Sequence, residues 1–158
     1  MSQVSHESID KALDRIDSLS DEALDQLIET YTLSQQDLVD YIMSAGAEYE
    51  NEDLNIYAIY YFAIIYEAFL QQGLTPKKIT EAEVDEFQEP FLEALDAIHK
   101  DENHQPLQEL ISQFPLQEFM VSEIEAKDED GEELDEETKT QLFIVTAAVI
   151  GLLNESVS

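Results

Sequence analysis

The chain has 158 residues, 44% of them hydrophobic, and sets 37 Asp and Glu against 7 Lys and Arg for a formal net charge of −30. That length accommodates a substantial core, and that apolar content is too high for wholesale disorder. The scarcity of basic residues argues against a phosphate backbone or an anionic membrane as a direct partner, and the lack of cysteine excludes disulfides, thiolate catalysis and cysteine-ligated zinc.

The first ten residues show neither a basic start nor an apolar run, which predicts no secretory signal and a cytoplasmic location. Ile9, Leu13 and Ile16 form one amphipathic stripe in a segment ending near Leu19. A second segment starts at Ser20, carries Asp21 and Glu22 in its first turn and aligns Leu24, Leu27, Ile28 and Tyr31, so the two predict a short helical hairpin. Ser34 and Asp37 have the spacing of an acidic capping box before a helix with Leu38, Val39, Tyr41, Ile42 and Ala45, for which Gly46 is the expected stop.

A polar linker over 48–53 leads into the most hydrophobic stretch, 54–70, closed by Gln71, Gln72 and Gly73. A helix apolar on every side belongs at the centre of a fold. Thr80 and Glu83 then form a second capping box, and Val84, Phe87, Phe91, Leu95 and Ile98 follow at helical spacing across Pro90. The stripe keeps its phase there, which predicts either one kinked helix or two abutting ones. Pro106 and Pro115 each open a similar short segment, predicting two successive short helices that start at proline.

Residues 123–137 are so rich in acid that they predict a solvated loop, and the apolar run 142–153, with Ala147, Ala148 and Gly151, predicts a close-packed terminal helix. Neither this run nor 56–70 reaches the roughly 20 apolar residues of a membrane span. The whole chain, 1–158, is therefore expected to form a single all-α domain. Its architecture would be a bundle of about six to eight helices around a central hydrophobic helix at 54–72 and a hydrophobic C-terminal helix.

Candidate chemistry is sparse. Asp128, Asp130 and Glu137 fall on the third, fifth and twelfth positions of a calcium loop centred on Gly131, but Ala126 and Leu134 stand where two further ligands belong, so a solvated acidic segment is the expected state. Asp96 with His99 and Asp101 with His104 imitate carboxylate-histidine metal pairs, yet the histidines would lie about 140° apart on one helix and point away from a common metal. Glu67 is the one charge inside the apolar stretch. With Tyr57 and Tyr60 it suggests a small-ligand pocket, although a glutamate near a helix end that reaches water is the plainer expectation.

No catalytic motif and no cofactor-binding motif is present, so no cofactor is expected. The leading expectation is a non-enzymatic interaction or regulatory module whose acidic surface engages a basic protein partner. The alternatives are an acidic surface adapted to a salty cytoplasm, and a ligand- or metal-binding bundle built on Tyr57, Tyr60 and Glu67.

Overall fold

The computed structural model describes residues 3–126, 131 and 134–157, and among these it holds eight helices and no strand. In chain order they are α1 (His6–Ser18), α2 (Asp21–Ser34), α3 (Gln36–Glu48), α4 (Glu52–Gln71), α5 (Glu81–Asp101), α6 (Gln105–Ile111), α7 (Phe114–Glu125) and α8 (Glu136–Ser156). No helix among the described residues is long and apolar enough to cross a membrane.

Short polar side chains set most of the starts by accepting a backbone N–H that the first turn leaves free. Ser5, Ser20, Asn51 and Asp135 cap α1, α2, α4 and α8 in this way. Thr80 and Glu83 complete the reciprocal capping box at the head of α5. Proline stands at the second position of both α6 and α7, where its missing N–H costs no intrahelical bond.

The bundle is organised around α4, as its apolar circumference requires. Helices α1, α2, α3 and α8 all pack on it, and α8 in turn receives α6 and α7. One continuous cluster joins Ile9 and Ala12 of α1, Phe62 and Phe69 of α4, Phe87 and Phe91 of α5 and Val149 and Leu153 of α8. The close-packing expectation for the terminal helix holds: Gly151 sits against the Phe87 ring, where a β-carbon would come within 2.7 Å of Cζ.

Several details differ from the sequence reading. The first two helices do not form a hairpin with each other; both spend their apolar faces on α4, which offers a larger dry surface than either. The Ser34–Asp37 capping box does not form. Gln35 occupies the cap position with no side-chain cap bond, Ser34 Oγ donates back to Thr30 O at 3.2 Å, and Asp37 Oδ2 accepts the Glu81 N–H at 3.2 Å. Buried Gln35 instead satisfies the incoming linker, donating to Lys77 O at 2.8 Å and accepting from Ile79 N–H at 2.9 Å.

Nor does Gly46 end α3. The helix runs on to Glu48, and the chain turns at Glu50 with φ 54°, because Gly46 is needed inside the helix where the Asn55 side chain crosses it. Of the two alternatives at Pro90, one helix or two abutting ones, the single helix is found: α5 continues through the proline, which is exposed. Both ends of the expected acidic loop over 123–137 are helical: Glu123 to Glu125 complete α7, and Glu136 and Glu137 open α8.

Candidate interaction surface

Glu67 is fully buried, so the expectation that it reaches water is wrong. Arg15 Nη1 and Gln71 Nε2 each donate to its Oε1 at 2.8 Å, and the Tyr31 hydroxyl donates to Oε2. Burial pushes the carboxyl up, but the bonds from Tyr31, Arg15 and Gln71 outweigh it and hold the group below its ordinary value. Burial and the adjacent carboxylate raise the Tyr31 phenol in turn, so it stays a neutral donor. Glu67 thus ties α4 to α1 through the protein's single arginine and to α2 through Tyr31.

The two tyrosines named with Glu67 lie elsewhere on α4. Tyr57 is exposed, and half-buried Tyr60 has its phenol raised by burial and by the charges of Asp17 and Glu123. No hydrogen bond among the described residues joins either ring to Glu67. A ligand at Glu67 would have to displace Arg15 or Tyr31, since both carboxylate oxygens are engaged.

Of the calcium-loop candidates, Asp128 and Asp130 lie outside the described residues, while Glu137 is exposed in the first turn of α8 and accepts from Gln141 Nε2 at 3.3 Å. His99 sits in the last turn of α5 and His104 at the cap of α6, so the two belong to different elements. Among the described residues no group of three or more His, Asp or Glu is arranged to hold a metal ion.

Two surface features stand out from the scattered acids. Between α3 and α5 an open cleft of about 300 Å³ is lined by Asp37, Asp40, Tyr41, Ser44, Glu81 and Asp85, with Val84 at its base. Four carboxylate side chains line it, and among the described residues no Lys, Arg or His does. Tyr41 lines the cleft as well, with its phenol raised first by burial. The ion pairs of the described residues engage Lys11, Arg15 and Lys139, all with carboxylates outside this cleft.

The second feature is a groove where α6, α7 and α8 meet, formed by two adjoining hollows of about 430 and 250 Å³ that share Val121 and Phe143. Its walls include Phe114 and Val121, 54% and 46% exposed.

Neither feature was found by reading the sequence, because each draws its residues from helices that periodicity cannot place side by side. The Glu67 cluster had a usable signal: the single buried-position acid and the single arginine of the chain are natural partners for each other. No family model, no curated protein and no solved structure matches the chain. The fold of the described residues defines the class as an all-α helical bundle.

Proposed function

We propose that the protein is a non-catalytic helical interaction module that holds a basic protein partner on its acidic surface, with the cleft between α3 and α5 receiving Lys or Arg side chains. The observation that carries this reading is that Asp37, Asp40, Glu81 and Asp85 all line one open hollow that no Lys, Arg or His lines among the described residues. Carboxylates lining one hollow repel one another, and a guanidinium or ammonium entering from a partner relieves the repulsion while the −30 field speeds its approach.

A second reading, adaptation of the surface to a salt-rich medium, is supported by the spread of exposed acids over helices far from the cleft, such as Asp10 and Asp14 of α1 and Asp25 of α2. One experiment separates the two. Binding of a short arginine-rich peptide is measured by titration calorimetry at low salt for a cleft variant, Asp40→Asn with Glu81→Gln and Asp85→Asn. A control variant, Asp10→Asn with Asp14→Asn and Asp25→Asn, matches it in net charge. The cleft variant is expected to bind roughly three- to tenfold more weakly than the control, the sum of a few exposed ion pairs. Equal weakening in both would leave the cleft without a special role and favour the environmental reading.

A further inference from the structure

We infer that the groove between α6, α7 and α8 is the docking site for an amphipathic helix carried by the basic partner. This rests on the reading of the protein as a binder of basic proteins and states where such a partner inserts its apolar face. The floor is made by Leu107 of α6 and Phe143 of α8, and the open wall by Phe114 and Val121 of α7. Phe114 and Val121 are two helical turns apart on one side of α7, with Gln117 and Glu118 between them, so they present two separate apolar anchor points to solvent instead of closing over the core. Leaving a phenyl ring and a valine half in water beside a dry floor is unfavourable for an isolated chain and favourable once a partner covers them.

The shape selects a helix. The groove follows α7, whose 12 residues span about 18 Å, the length of roughly three turns of a partner helix with anchors at i, i+3 or i+4, and i+7. The rim selects its charge. Glu118 stands beside the larger hollow, and Glu125 and Glu136 beside the smaller. One cation faces them: Lys139, almost wholly buried, pairs with Glu125 at 3.1 Å and Glu136 at 3.5 Å, so the rim keeps a negative excess. A helix with an apolar face flanked by Lys or Arg satisfies both the Phe114 and Val121 anchors and the rim. A second copy of this chain does not, because it would bring a net charge of −30 against the same acids.

The test uses the full chain and two fluorescent 14-residue peptides of identical leucine and lysine content. One places leucine at i, i+3, i+4 and i+7; the other has the same residues shuffled so that no helical face is apolar. By anisotropy at low salt, the amphipathic peptide is expected to bind the unaltered protein at least about tenfold more tightly than the shuffled one, the effect of a buried anchor pair. The Phe114→Ala, Val121→Ala variant should bring the amphipathic peptide down to the shuffled level and leave the shuffled affinity unchanged. Val121→Lys, a single change at an exposed position, should likewise abolish the amphipathic peptide's advantage by placing a charge where a leucine anchor would pack, and circular dichroism checks that both variants fold. The cleft variant described above should leave the ratio between the peptides intact.

If the two peptides bind the unaltered protein alike, or if their difference survives both groove variants, the groove is overturned while binding of basic partners stands. If neither peptide binds at low salt, the underlying reading fails and takes the groove with it.

Discussion

Glu67 shows how a buried charge is made tolerable in this fold. Removing a carboxylate from water is costly, and here the cost is met by one cation and two neutral donors, Tyr31 and Gln71, that saturate its oxygens. The two ends of the Arg15–Glu67 pair are not equivalent, because about half of the Arg15 side chain remains in water while that of Glu67 is sealed. Loss of Arg15 leaves a buried anion without its counter-charge; loss of the charge on Glu67 leaves a cation that water can solvate. Arg15→Met is therefore expected to cost about 2–3 kcal/mol at neutral pH, less than the roughly 3–5 kcal/mol of a fully buried broken pair because Arg15 is half exposed, and Glu67→Gln distinctly less.

Because folding holds the Glu67 carboxyl below its ordinary value of 4.5, the stabilisation it gives is present above that pH and fades as pH falls below it. The penalty of Arg15→Met should shrink over the same acid range, as protonation removes the unpaired charge. Urea unfolding of both variants at pH 7 and pH 4 checks the order and the trend. Equal costs at pH 7 would show that the pair is too wet to matter.

At the scale of helices, the contact between α5 and α8 is set by the absence of a side chain. Gly151 is buried, and Phe87, stacked on Phe91 with ring centroids 5.3 Å apart, fills the space a β-carbon would take. Gly151→Ala gains helix propensity worth about 1 kcal/mol but overpacks a stiff aromatic pair at a cost of about 1–3 kcal/mol. A net loss of about 1 kcal/mol is expected, and Phe87→Leu in the same chain should recover part of it, giving a favourable coupling in a double-mutant cycle followed by thermal unfolding. Independent effects of the two substitutions would place the helices further apart than the ring contact requires.

Glutamine does comparable work at the segments between helices. Gln3 and Gln113 tie the N-terminal residues to the α6–α7 turn: Gln3 donates to Ser112 O and accepts the Phe114 N–H at 3.0 Å, and Gln113 accepts the Val4 N–H at 2.8 Å. Gln72 does the same from the end of α4, accepting from Ser5 N–H at 2.9 Å and Ser8 Oγ at 2.8 Å. Buried backbone donors off the helices need such partners, and a long amide side chain supplies them where no strand is near.

For the molecule as a whole, the dominant long-range force is self-repulsion of the net −30 charge. It is screened over about 30 Å at 10 mM salt and about 3 Å at 1 M, so the melting temperature should climb by several degrees across that range. Mild acid should act in the same direction. Glu123 and Glu155 have their carboxyls raised, first by burial and then by acidic neighbours, so folding favours their protonated forms and stability grows as pH drops from neutral. The growth ends where the Glu67 contribution begins to fade, below its ordinary 4.5. A melting temperature independent of salt would mean that the carboxylates are too dispersed for repulsion to matter. At the alkaline end, Tyr61, lifted to about 12 by burial and then by Glu123, and the raised Tyr31 both favour the protonated phenol in the fold, so stability should decline above the ordinary value of 10.

Local pattern was enough to establish the helical class, the central place of the 54–70 stretch, the Thr80–Glu83 cap and the two proline-opened helices, because each depends on residues within one or two turns of one another. Pattern misled where a residue had a stronger use at a distance. Asp37 left its expected capping box for the backbone of Glu81, Gly46 stayed inside α3 to admit Asn55, and Glu67 turned inward because Arg15 and Tyr31 were there to receive it. The acidic cleft and the apolar groove were decided by tertiary structure alone. Their lining residues come from separate helices, α3 with α5 and α6 with α7 and α8. Helical periodicity tells which face of each helix is apolar, whereas which faces meet depends on packing free energy summed over the whole core.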